Sequence, residues 1–264
     1  MSTLFVQGIG LCGPGLADWV QGAQALGGHA AYVRTATAVP PPARLPAAER
    51  RRAGAAIKIA LAVADEACRH GGIDPALAAT VFASSSGDGA NCHALCEALA
   101  GSDRLVSPTR FTNSVHNAAA GYWHIAVTGR AASTSLCGFD TSFAAGLIEA
   151  AGQLHGEPSQ PVLLVASDTP YPEPLHATRP LPDSLGVALV LRPTGDGAVA
   201  RLVIAAQVPQ PSTPCRDAAL EVLRQQIPAA RALPLLELIA RGEAGRVVLD
   251  CQPGLSLRVD IHRP

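Results

Sequence analysis

Lysine and aromatic side chains are scarce. Lys58 is the single lysine, and Phe, Trp and Tyr together make up 4% of the 264 residues. With 20 Lys+Arg against 21 Asp+Glu, the formal net charge is -1. The chain therefore has neither a basic field to neutralise phosphates nor a supply of rings for base stacking, which argues against a nucleic-acid partner. Long uninterrupted apolar runs are missing too. The most apolar stretch, residues 55–67, carries Lys58, Asp65 and Glu66, so no membrane span is expected. The N-terminus lacks a basic segment followed by a long apolar one, and the protein is read as cytoplasmic. The seven cysteines (Cys12, Cys68, Cys92, Cys96, Cys137, Cys215 and Cys251) are odd in number and scattered, which suits free thiols better than a disulfide framework.

Apolar residues are plentiful, at 48%, enough for a sizeable core. Along the chain, strand-like runs alternate with helical periodicity. An apolar run at 4–6 leads into glycines at 8, 10, 13 and 15 and a helical stretch at 16–26. The prolines at 40–42 form a rigid extended linker. A helix beginning near Glu49-Arg50-Arg51-Arg52 continues through Ile57, Ile59, Ala60, Val63, Ala64 and Ala67 and stops at Gly71-Gly72. Strands are expected at 80–84, 132–136, 162–166, 185–191 and 200–208. Helices are expected at 90–100, 117–127 (buried) and 142–154. After Pro211 two more helices, near 216–226 and 233–241, precede closing strands at 246–250 and 255–261. This alternation predicts a layered α/β fold with a mostly parallel sheet and helices on both faces.

Several short patterns invite a chemical reading. Gly8-x-Gly10-x-x-Gly13, between a strand and a helix and followed by Arg34, has the spacing of a dinucleotide fingerprint and would suit NADP. The proline linker stands where that fold needs its next helix, so a tight turn requiring glycine is preferred. Cys92-His93-x-x-Cys96 carries zinc-ligand types, but on a helix His93 is rotated about 100° from Cys92. The two thiols are read as buried, with no metal and no cofactor expected. The loop Ser84-Ser85-Ser86-Gly87-Asp88-Gly89 lacks the lysine of a phosphate loop and reads as a plain turn. The densest segment is 107–151. It holds Phe111, Ser114, His116, Asn117, Tyr122, Trp123, His124, Phe139 and Phe143, including five of the ten aromatic residues, and is expected to form a pocket, an association surface, or both. His116 and His124 lie within about 80° of one helix face, which suits either contact with groups of a partner chain or ordinary polar positions in a packed helix.

Gly8-Ile9-Gly10, Gly13-Pro14-Gly15 and Trp19, then Glu49-Arg50-Arg51-Arg52, then Ser107-Pro108-Thr109 with Ser114-Val115-His116-Asn117-Ala118 and Gly121, resemble the β-ketoacyl synthase branch of the thiolase-like superfamily. More closely, they resemble the short chain-length-factor-type homologues of bacterial aryl polyene pigment pathways. The resemblance covers about residues 1–208 and implies a thiolase-like layered fold reduced to about a ketosynthase N-terminal half (1–208), with 209–264 a degenerate α/β appendage packed on it. Ketosynthases place a nucleophilic cysteine at the N-terminus of a buried helix. Alignment on the alanine-rich helix puts Asp140 at that position, where it reads as a helix N-cap. No histidine after it lies in a glycine-rich catalytic motif. The resemblance thus implies a subunit not catalytic alone, paired with a catalytic ketosynthase as a heterodimer and meeting an acyl carrier protein through that complex. Two alternatives stay open: a stand-alone acyl-transfer or thioesterase-like enzyme using Cys137, and the NADP-binding protein.

Overall fold

The computed structural model describes residues 1–157 and 159–264. The elements are β1 (Ser2–Cys12), α1 (Trp19–Leu26), α2 (Ala47–Arg52), α3 (Ala55–His70), β2 (Ala79–Ala83), α4 (Gly89–Ala100), α5 (Pro108–Thr112), α6 (Ala118–Val127) and β3 (Ser133–Leu136). They continue with α7 (Ser142–Gly156), β4 (Val162–Asp168), α8 (Leu175–Thr178), β5 (Leu185–Arg192), β6 (Ala200–Gln207), α9 (Ala218–Gln226), α10 (Leu233–Arg241), β7 (Gly245–Gln252) and β8 (Leu255–His262). The helix expected from Glu49 onward is two helices, because the chain turns extended at Ala53 and Gly54.

All eight strands join one sheet in the order β3-β2-β4-β5-β1-β6-β8-β7. Only β3-β2-β4 is parallel; the other neighbours run antiparallel, so the sheet is mixed rather than mostly parallel. The continuous apolar runs misled because they report helices on both faces, whatever the strand direction. In β4, Val162, Leu164 and Ala166 belong to the buried cluster on the α7 side of the sheet, while Leu163 and Val165 belong to the one on the α3 side. β6 alternates buried and half-buried residues, as does much of β8, the pattern of strands covered on one face. Residues 209–264 therefore extend the same sheet and the same core through the β6–β8 ladder.

Gly8 and Gly10 lie inside β1, pressed against α3. A Cβ on Gly10 would stand 2.0 Å from the Val63 carbonyl oxygen, and one on Gly8 2.2 Å from that of Ala67. The glycines permit this close approach; they form neither the tight turn nor the phosphate loop that their spacing suggests. β1 pairs with β6 only over Ser2–Val6. Beyond that, side chains of α3 take the place of a strand: the Ile9 amide donates to His70 Nδ1 (2.9 Å), and the Leu11 amide to Glu66 Oε2 (2.8 Å). At the far end of the sheet, Thr213 exchanges two hydrogen bonds with Val248 and covers the outer edge of β7. The outer edge of β3 has no partner among the described residues.

Candidate functional site

β3 leads through Cys137 and Gly138 into a 3₁₀ turn, Phe139–Thr141, and then α7. Three hydroxyl contacts knit this entrance. Ser142 Oγ accepts from the Gly138 amide (3.1 Å) and donates to the Phe139 carbonyl (2.7 Å), while Thr141 Oγ1 donates to the Gly138 carbonyl (2.7 Å). Phe139 has φ 52°, left-handed backbone that costs a bulky residue roughly 1–2 kcal/mol. The residue is 60% exposed, with the Arg179 guanidinium carbon 3.6 Å from the ring centre.

Asp140 does not cap α7. Thr141 holds the N-cap position, with no side-chain capping bond. The Asp140 carboxylate pairs instead with Arg179 (2.6 Å) and Arg231 (3.4 Å), and Arg231 also pairs with Asp250 of β7 (2.6 Å). Charged guanidinium donors win over neutral backbone N–H groups for a carboxylate within reach of both. Cys137 is exposed, and its thiol donates to the Ser85 carbonyl at 3.0 Å. It sits before the 3₁₀ turn, away from the N-terminus of α7. No cysteine lies between Gly138 and Ser142.

Below this entrance, Asp168 ends β4 at 3% exposure. Its carboxylate accepts the Ser85 amide (2.8 Å), the Ser84 hydroxyl (3.3 Å) and the Ala229 amide (2.9 Å). Burial pushes its pKa above the usual carboxylate range, against the pull of those donors. The loop after β2 is thus pinned from within: Asp168 takes the Ser85 amide, and Ser84 Oγ takes that of Gly87 (3.0 Å). Asp168 escaped the sequence reading; its signal is a lone carboxylate closing an apolar strand run.

The residues of the dense segment are not gathered into one pocket. Phe143 is buried on the α7 face of the sheet, and Tyr122 and Trp123 on the α3 face. Phe111, Ser114 and Phe139 are exposed. α6 is not wholly buried either, since Ile125 is 49% exposed. His116, Asn117 and His124 share an open groove of about 480 Å³ with Ser133 and Ser135, along the free edge of β3. His124 is engaged within its own chain: Nδ1 lies 3.1 Å from the Gly129 carbonyl and Nε2 3.4 Å from Thr80 Oγ1. A carbonyl cannot donate, so Nδ1 carries the proton.

Two further expectations are corrected. Cys92 and Cys96 are exposed on α4, not buried, because α4 buries only Gly89 and Asn91. No group of three or more His, Cys, Asp or Glu side chains suited to a metal occurs among the described residues. Arg34 is exposed in the irregular segment after α1, and with Gly8 and Gly10 packed on α3 the dinucleotide reading loses its phosphate cradle. No helix among the described residues is long and apolar enough to cross a membrane.

A mixed sheet layered between helices, with a tight turn delivering β3 into α7, makes this a layered α/β protein. Residues 19–240 match the family model for the beta-ketoacyl synthase N-terminal domain, and the chain belongs to that family. No curated protein matches it. Among solved structures it is similar to the ketosynthase ApeO in complex with its chain length factor ApeC from Xenorhabdus doucetiae, at 21% identity and TM-score 0.74, covering all of both chains. It is also similar to a beta-ketoacyl synthase from Burkholderia phymatum, at 13% identity and TM-score 0.69, again over all of both chains. The ishigamide ketosynthase/chain length factor follows at 13% identity and TM-score 0.72, covering 100% of this chain and 99% of that one. At these identities the likeness establishes the fold.

Proposed function

We propose that this chain is a non-catalytic, chain-length-factor-type subunit that pairs with a catalytic β-ketoacyl synthase as a heterodimer, in aryl polyene or related fatty-acid-like biosynthesis. The observation that carries this reading is the entrance to α7. Where a ketosynthase needs a thiol on the helix N-terminus, this chain has an exposed Phe139 and an Asp140 bound by two arginines. A carboxylate held in two ion pairs forms no acyl thioester.

The open edge of β3 supports a partner. A strand added there would complete the sheet, with its side chains in the groove lined by His116, Asn117 and Ser135. Phe111, Val115, Ile125 and Phe139 are exposed apolar residues of the same dense segment, the kind of surface that pairing covers. On this reading residues 1–208 form the ketosynthase-like part and 209–264 an appendage that holds Asp140 through Arg231. An acyl carrier protein reaches the subunit only through the complex. Co-expression with the ketosynthase of the same pathway tests the proposal: the two are expected to co-elute at one-to-one stoichiometry under native conditions. Separate elution rejects it.

Cys137 offers a second reading, as the nucleophile of a stand-alone acyl-transfer or thioesterase-like enzyme, favoured only by its exposure. Incubation with an acyl thioester and intact-mass measurement decides it, with no adduct at Cys137 expected.

A further inference from the structure

Cys92 and Cys96 stand four residues apart on α4, and both thiols are free and exposed. The helix is anchored through its first turn. Asp88 Oδ1 accepts the Asn91 amide (2.9 Å), Asn91 Nδ2 donates to the Arg110 carbonyl (2.8 Å), and Gly89 packs against the Tyr171 ring. The two thiols take no part in this anchoring.

Residues four apart on an α-helix share a face, with Cβ atoms about 5–6 Å apart. That is too far for a disulfide, which needs Cβ atoms about 3.5–4.5 Å apart, yet side-chain rotation alone turns both sulfurs toward one ion between them. No third ligand joins the pair. Among the described residues no group of three or more His, Cys, Asp or Glu side chains suited to a metal occurs. His93 is turned about 100° from Cys92, and its Nε2 lies 3.3 Å from Glu97 Oε1. Zinc, which takes four ligands at structural sites and three plus a water at catalytic ones, is not served. Soft cations that select thiolate sulfur are. Electrostatics favour such an occupant as well: burial, and after it the neighbouring Cys96 thiol, hold the Cys92 thiol above its usual range. Adjacent thiolates repel, and a cation between them removes the repulsion.

We propose that Cys92 and Cys96 form a two-thiolate site for a soft monovalent cation of the copper(I) kind. Each thiol gives up its proton and forms one sulfur–copper bond, with no change of oxidation state. The site shares no residue with the α7 entrance and does not depend on pairing with a ketosynthase.

The full-length chain, reduced and kept free of oxygen, is titrated with copper(I) against a chromogenic copper(I) chelator. One-to-one retention is expected. Removing even an outer partner of a metal ligand costs about 10–100-fold in affinity, so Cys92→Ser and Cys96→Ser are each expected to weaken retention by about a hundredfold or more. Both side chains are exposed, so the variants are expected to fold. Cys137→Ser, which removes the remaining exposed thiol, should leave retention unchanged. Failure of the wild type to hold copper(I), equal retention by either variant at 92 or 96, or loss in Cys137→Ser overturns the proposal. One-to-one retention of zinc(II) against a chelator would also overturn it, since zinc needs ligands that the pair lacks. Phenylarsine oxide reads the same pair by intact mass, joining two thiols with loss of water. An adduct that survives excess monothiol and maps to Cys92 and Cys96 is expected, and its release to monothiol refutes the convergence of the two sulfurs.

Discussion

Replacing Gly10 by alanine tests the packing on which the sheet depends. The new Cβ would lie 2.0 Å from the Val63 carbonyl oxygen, 2.9 Å from its carbonyl carbon and 3.0 Å from the Ala67 nitrogen. All three are helix backbone, so no side-chain rotation relieves the clash, and α3 must retreat from β1. That helix buries Ile57, Ile59, Val63 and Ala67 on the sheet side. Overpacking of this kind costs about 1–3 kcal/mol, and a backbone obstacle puts it at the upper end. Retreat also draws Glu66 and His70 from the Leu11 and Ile9 amides, at about 1 kcal/mol for each bond. The expected loss is about 4–5 kcal/mol, read as a fall in the urea midpoint with the slope unchanged. Gly121→Ala is the control. It lies in α6, where an added Cβ meets nothing within 4 Å, and helix propensity predicts a gain of up to about 1 kcal/mol. A Gly10→Ala protein within about 1 kcal/mol of wild type, or equal losses in the two variants, would refute the reasoning.

Asp168→Asn keeps the shape of the buried carboxyl but turns an amide donor toward the donors around it, and is expected to cost about 1–3 kcal/mol in urea unfolding. Because burial raises the Asp168 pKa, the wild type's advantage over this non-titrating variant is greatest in acid and declines as pH rises through the usual carboxylate range to the raised value; a growing advantage over that interval contradicts the sign. Cys92, Cys96 and Cys137 should react with an aromatic disulfide reagent in the native protein, while Cys12, Cys68, Cys215 and Cys251 react only on unfolding. Burial, the chief cause, helped by nearby carboxylates, also pushes the Cys12 thiol up to about 11 and the Cys68 thiol up to about 12, which keeps both un-ionised. Asp140→Ala should leave condensation by the assembled complex intact and cost under about 1 kcal/mol of stability, since the carboxylate is 40% exposed; loss of turnover with the complex still formed would assign Asp140 a chemical role.

The sequence exposed the order of elements because hydrophobic periodicity is local. Val162 to Ala166 reads as a strand buried on both faces, and so it is. Which way its neighbours run is set by connections and coverage elsewhere, and the antiparallel β4–β5 ladder left no mark on either strand. At the candidate site, the residues of the α7 entrance were legible but their bonds were not. Arg179 and Arg231 reach Asp140 from distant segments, and no local pattern links them. The exposure of Cys92 and Cys96 was hidden for a related reason: α4 lies along the surface with little buried beneath it, so its small apolar residues imitate a core helix.

The unequal edges of the sheet bear on what happens to this polypeptide between synthesis and assembly. Raw strand edges template aggregation, and here the free side of β1 is blunted by Glu66 and His70 and that of β7 by Thr213. What is left bare is β3, only Ser133 to Leu136 long, with three of its four side chains hydroxylic. A strand so short and polar is a poor seed for cross-β growth. On the pairing proposed above, a newly made chain offers one brief, selective edge among the described residues.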